Sequence, residues 1–153
     1  MHRPAPLAPG ARVGLTTTIP VEVVLAAGLT PVDLNNLFIA DPLALARVSQ
    51  AEAAGFPRTL CAWIKGIFAA LMAYPDIRAV IAACQGDCSN TQALGEILAA
   101  EGIEVIHFKY PYPRDREQLA REISALTARL GAGPEAVARV QARLAPLRRQ
   151  LRR

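Results

Sequence analysis

Four short apolar runs, at residues 12–15, 30–34, 78–83 and 103–108, each give way to a loop and then to a segment of helical periodicity. The run Ala79-Val80-Ile81-Ala82-Ala83 is β-branched and alanine-rich throughout, the pattern of a strand buried on both faces. Repeated strand and helix units predict a mostly parallel sheet of about four strands with right-handed crossovers. The expected architecture is a three-layer α/β domain of the Rossmann-like or flavodoxin-like kind, with helices on both faces.

Local signals set the helix bounds. Pro20 is expected at the first position of a helix that runs to Ala27 and stops at Gly28, with Thr18 as its N-cap. Asn35 and Asn36 read as loop residues, and a helix over 43–54 closes at Gly55. Thr59 is expected to cap a mostly buried helix carrying Cys61, Trp63, Ile64, Ile67, Phe68 and Leu71. Further helices are expected over 89–100 and 115–130. Residues 1–11 contain three prolines and read as a poorly ordered arm, residues 12–133 as the domain. Residues 134–153 read as an Arg-rich amphipathic helix, a linker toward a second domain.

With 153 residues and 52% hydrophobic content, the chain suits one domain burying about 70% of its unfolded surface. Its net charge is +4, but residues 134–153, with six arginines and one glutamate, carry +5, so the rest carries −1. A neutral body with 5% aromatic residues argues against nucleic-acid binding, which needs a cationic face and stacking side chains. Three cysteines and no secretory pattern argue against a disulfide scaffold, so the expected compartment is the reducing cytoplasm. No apolar run approaches the length of a membrane span, so no membrane partner is expected.

The expected carboxyl ends of the strands carry the unusual residues: Thr16 to Thr18, Asn35 and Asn36, Cys84 to Asn90, and Lys109 to Tyr112. In open α/β sheets ligands bind beyond those ends. Within Cys84-Gln85-Gly86-Asp87-Cys88-Ser89-Asn90, Cys88 stands where a strand hands over to a helix. A thiol there faces unpaired N–H groups and the positive end of the helix dipole, a setting that suits anionic sulfur or an anionic ligand. Cys61 reads equally as a small buried hydrophobe or as a second such thiol, and Cys84 reads first as core filler, second as a metal ligand. His107 reads as a satisfied core or edge histidine, Lys65 and Lys109 as solvated charges, and no residue earns a catalytic role. The chain has no C-x-x-C, no paired zinc knuckles, no G-x-G-x-x-G and no Walker A loop. Iron-sulfur ligation fits its thiols and few histidines better.

Several long motifs carry a resemblance. They are Thr16-Thr17-Thr18-Ile19-Pro20-Val21-Glu22, Ala27-Gly28-Leu29-Thr30-Pro31-Val32-Asp33-Leu34-Asn35, Ala54-Gly55-Phe56-Pro57-Arg58, Leu60-Cys61-Ala62-Trp63-Ile64-Lys65-Gly66 and Gln85-Gly86-Asp87-Cys88-Ser89-Asn90-Thr91. From about residue 12 onward the chain resembles the N-terminal half of 2-hydroxyacyl-CoA dehydratases of the 2-hydroxyglutaryl-CoA dehydratase D-component type.

That resemblance implies a 4Fe-4S cluster held by three cysteines per subunit, with one iron position open. It implies Cys61 and Cys88 as two ligands, with the family's own third ligand in a following domain; Cys84 has no counterpart in the family's motif and is the candidate substitute within this chain. Thr17, Thr18, Ser89 and Asn90 are the expected cofactor-binding residues at the strand ends. The implied partners are an acyl-CoA substrate, a related dehydratase subunit and an ATP-dependent activator that supplies an electron. The implied reaction turns a (R)-2-hydroxyacyl-CoA into an enoyl-CoA through a ketyl radical. Two other readings stand beside it: an electron-transfer component related to benzoyl-CoA reductase or the double-cubane proteins, and a non-catalytic acyl-CoA-binding domain without a cluster.

Overall fold

A computed structural model describes residues 6–151. Its sheet has four strands, β1 (Arg12–Leu15), β2 (Thr30–Asp33), β3 (Ile77–Gln85) and β4 (Glu104–Lys109), in the order β2-β1-β3-β4 and all parallel. The seven helices are α1 (Val21–Ala26), α2 (Leu34–Ile39), α3 (Ala44–Ala53), α4 (Ala62–Met72), α5 (Ser89–Ala100), α6 (Arg116–Leu130) and α7 (Pro134–Leu151). This is the expected three-layer Rossmann-like or flavodoxin-like α/β fold.

Two apolar cores lie on opposite faces of the sheet. Leu34, Phe38, Ile67, Leu71 and Leu98 pack with Ile77 and Val80 on the face covered by α2 to α5. Val23, Val24, Phe108 and Leu126 pack with Val13, Ala79 and Ile81 on the face covered by α1, α6 and α7. Strand order reverses at the β1/β3 boundary: the chain steps outward from β1 to β2, crosses back to β3 and then continues to β4. With one hand for every crossover, that reversal sends the connecting helices to opposite faces. It also opens a crevice at the carboxyl ends of β1 and β3, where open α/β sheets place their ligands.

Local structure departs from the sequence reading at four points. Thr18 is not the cap of α1; Pro20 occupies that position, while Ile19 is buried and the Thr18 carbonyl accepts from the Tyr110 hydroxyl. Asn35 and Asn36 form the first turn of α2 instead of a loop, because the Asp33 carboxylate accepts from both of their backbone N–H groups. Cys61 does not lie inside a helix capped by Thr59 but is itself the N-cap of α4. Lys65, expected to be solvated, is only 2% exposed: its amine donates to Glu52 Oε1 at 2.6 Å and to the Arg58 carbonyl at 3.1 Å. Pairing is what lets an ammonium remain in a protein interior.

The arm expected over residues 1–11 falls partly on residues 1–5, which lie outside the described residues. Beyond them, Gly10 N–H donates to the Gly28 carbonyl at 2.7 Å, and Leu7 and Ala11 pack against the core. The expected helix at the other end is α7, with residues 152–153 outside the described residues. It packs against α1, where Arg148 pairs with Glu22. Burial works to raise the Glu22 pKa, but the hydrogen bond from Arg148, helped by a backbone hydrogen bond and the guanidinium charge, outweighs it and the net shift is downward.

Candidate functional site at the carboxyl edge of the sheet

A cavity of about 400 Å³ opens where β1 and β3 end. All three crossovers contribute walls: Thr16 and Thr17 follow β1, Asn35 follows β2 and Cys61 and Trp63 begin α4 in the same connection, and Asp87 and Cys88 follow β3. The floor is apolar, formed by Ile64 and Ile67 of α4. Thr16 ties the loop after β1 to strand β3, since its hydroxyl accepts from the Ala83 N–H at 3.2 Å.

Cys61 and Cys88 hold equivalent positions on two helices. Each is an N-cap with extended backbone ψ, neither side chain caps its own helix, and both thiols are free and exposed. Asn90 Nδ2 donates to Cys88 Sγ at 3.4 Å, and the Thr91 hydroxyl, buried at the cavity wall, donates to Asp87 at 3.5 Å. The turn that delivers Cys88 depends on Gly86, whose φ of +78° is left-handed and whose missing Cβ would lie 2.5 Å from Tyr110 Cβ.

Cys84 stands apart from this pair. Its Sγ lies 2.9 Å from His107 Nδ1 on the edge strand β4 and is not part of the cavity lining. Burial pushes the Cys84 thiol pKa up, opposed by the Lys109 charge and reinforced by Glu96. Of the other expected cofactor-binding residues, Thr17 lines the cavity, whereas Thr18, Ser89 and Asn90 do not; Asn90 reaches it only through its bond to the Cys88 sulfur.

Among the described residues, no group of three or more His, Cys, Asp or Glu side chains is placed to hold a metal ion. The cavity wall carries the two free thiols of Cys61 and Cys88 and the Asp87 carboxylate. Thiols of this kind are the ligand type of an iron-sulfur cluster, so the residues present fit part of such a site, at which Cys61 and Cys88 would be two of the ligands.

Beside it, on the far side of the Gly86 turn, lies a larger hollow of about 710 Å³ lined by Gly86, Tyr110, Pro111, Tyr112, Arg114 and Arg116 among others. Tyr110, in the wall of this hollow, packs edge-on against Phe108 at 5.0 Å and donates to the Thr18 carbonyl. Burial, and then the neighbouring Asp87 charge, raise its pKa.

Sequence reasoning places Asn35 at the right edge but as a loop residue, and misses Trp63, which reads as part of a buried helix face. The signal that could have placed them is the cap: once Asp33 starts α2 and Cys61 starts α4, both fall in first turns at the same edge of the sheet.

Among the described residues, no helix is long and apolar enough to cross a membrane. A search of curated proteins gives no match. A family model described as 2-hydroxyglutaryl-CoA dehydratase, D-component, matches residues 16–139, a span that begins at the first cavity residue, directly after β1, and takes in β2, β3 and β4. The match covers well over half of the chain, and the chain belongs to that family.

Proposed function

We propose that this chain is an iron-sulfur component of a 2-hydroxyacyl-CoA dehydratase, with Cys61 and Cys88 as its contribution to the cluster. The observation that carries the reading is the convergence of two free, exposed thiols from separate helix N-termini on one cavity, in a chain that belongs to the family. When bound, a 4Fe-4S cluster would supply an electron-transfer centre and, at an open iron position, a Lewis acid for the substrate's hydroxyl oxygen.

The chain's own residues have simpler tasks. Cys61 and Cys88 would present sulfur to the cluster where two sets of free N–H groups point outward. Asn90 donates to the Cys88 sulfur, the kind of outer contact that tunes a thiolate ligand. Ile64 and Ile67 keep the cavity floor apolar and so limit water beneath the thiols. The larger hollow has the volume and mostly apolar lining that a ligand the size of an acyl thioester requires, and Arg114 and Arg116 offer charge to phosphate. A related dehydratase subunit and an ATP-dependent activator complete the proposed system, and the proposed reaction is loss of water from a (R)-2-hydroxyacyl-CoA to give an enoyl-CoA.

The test is anaerobic reconstitution with iron and sulfide, followed by visible absorption and equilibrium dialysis against a 2-hydroxyacyl-CoA. The expected result is a sulfide-to-iron absorption band together with acyl-CoA binding. Acyl-CoA binding by a chain that takes up no iron would refute the cluster and leave a binding domain. Cluster reduction with no acyl-CoA binding would point to the electron-transfer alternative related to benzoyl-CoA reductase.

A further inference from the structure

We propose that Asn35 is the positioning residue of the two-thiol cavity, holding Trp63 in place and through it the first turn of α4, on which Cys61 sits. Its side chain amide is engaged on both sides. Nδ2 donates to the Thr16 carbonyl at 3.0 Å and to Asp33 Oδ1 at 3.0 Å, and Oδ1 accepts from the Trp63 indole N–H at 2.7 Å. One half-buried residue therefore ties together the loop after β1, the start of α2 and the start of α4.

The start of α4 needs such a tie. Residues 57–59, 61 and 62 are exposed, and Cys61 makes no side-chain cap bond. A segment with so few buried contacts opens locally at low cost. Trp63 is the second helical residue of α4 and is itself 40% exposed. Its ring packs edge-on against Phe38 at a centroid distance of 5.5 Å, an arrangement that fixes the plane of the indole while the bond to Asn35 fixes its rotation. Two such constraints on one side chain set the direction of the first turn, and with it the position of the Cys61 sulfur relative to Cys88.

Geometry also says why the residue is an asparagine. The amide nitrogen faces two acceptors and the amide oxygen faces a donor. Aspartate would keep the bond to Trp63 but set a second carboxylate against Asp33 and the Thr16 carbonyl, and alanine would release all three elements.

The role rests on the reading that Cys61 and Cys88 act together, whereas its spectroscopic test does not. Trp63 is the only tryptophan in the chain, so its emission reports this position alone. In the metal-free full chain, Asn35→Ala is expected to move that emission to longer wavelength and to raise its quenching by acrylamide, with the far-ultraviolet circular dichroism unchanged. The second readout is Cd(II) alone, a soft ion followed by its sulfur-to-metal absorption. Binding that depends on both Cys61 and Cys88 is expected to weaken by about tenfold or more in Asn35→Ala, the scale seen for outer-shell partners of metal ligands. Trp63→Phe, which keeps the ring on Phe38 but removes the N–H, is expected to weaken Cd(II) binding similarly. The double variant should be no worse than Asn35→Ala alone, because the link that Trp63→Phe breaks is already gone there.

A folded Asn35→Ala chain with unchanged emission would overturn the proposal, as would altered emission with wild-type Cd(II) affinity. If Asn35→Ala does not fold, Trp63→Phe decides, and undiminished Cd(II) binding there would overturn it. If the wild-type chain shows no thiolate-dependent Cd(II) signal, the two-thiol site falls, and the Asn35 link to Trp63 is judged by emission alone.

Discussion

Cys61 and Cys88 occupy the same place on two different helices: each is an N-cap, neither caps its own helix through sulfur, and both line one cavity between the ends of β1 and β3. A helix start normally takes an oxygen-bearing side chain at that position. Asp33 and Asp115 do so here, each accepting from two backbone N–H groups of α2 and α6. α4 and α5 forgo that stabilisation, which leaves their N–H groups and two thiols free for a ligand.

The contrast between the two kinds of cap is testable. Asp115→Ala removes bonds of 2.8 and 3.1 Å to Glu117 N–H and Gln118 N–H. It should lower stability by about 1 kcal/mol in urea unfolding and leave iron uptake unchanged. Asp33→Ala should cost a similar amount and also reduce iron uptake, because Asp33 holds the turn that carries Asn35. Equal effects of the two on iron uptake would remove the special status of the α2 turn.

Gly66 marks how closely α4 must approach α2. A Cβ at that position would lie 2.2 Å from Phe38 Cε2 and Cζ, so the ring would have to move within a packed core. Gly66→Ala should destabilise the chain by about 1–3 kcal/mol, the usual cost of overpacking, and should shift Trp63 emission because Phe38 is the ring on which Trp63 packs. Unfolding with an unchanged urea midpoint would show that α4 has slack there.

Acid should weaken the fold through specific pairs. The hydrogen bond from Lys65 holds Glu52 below its ordinary value of 4.5, and the one from Arg12 holds Asp76 below 3.8. A carboxylate lowered on folding stabilises the native state above its unfolded pKa and loses that contribution as pH falls through the folded one. The urea midpoint should therefore be level near neutrality and fall between about pH 5 and pH 3. Lys65→Met should start from a lower midpoint, because Glu52 and the Arg58 carbonyl lose their donor, and should show a shallower acid decline. A Lys65→Met profile parallel to wild type would mean that the pair contributes nothing to the acid response.

Much of the fold was legible because its determinants are local. The run around Val80 reads as a buried strand from its own residues, and Gly55 and Gly131 mark the ends of α3 and α6. The edge on which the site sits followed from where strands end, and Thr17, Cys61 and Cys88 do line one cavity. What sequence hid was pairing across the fold. Lys65 looks solvated until Glu52 and the Arg58 carbonyl are seen around its amine. Cys84 is drawn to β4 by a partner that strand register supplies, since His107 lies opposite Ala82, two residues before Cys84. Asn35 looks like a turn because the cap that makes it helical is one side chain, Asp33, two residues earlier.

The central claim is that Cys61 and Cys88 act as one metal-binding pair. Its most direct measurement is iron and sulfide per chain after anaerobic reconstitution of wild type, Cys61→Ser, Cys88→Ser and Cys84→Ser. The account predicts cluster iron in wild type, its loss in both Cys61→Ser and Cys88→Ser, and its retention in Cys84→Ser, whose sulfur faces His107. No iron in wild type, or iron retained when either Cys61 or Cys88 is replaced, would contradict it.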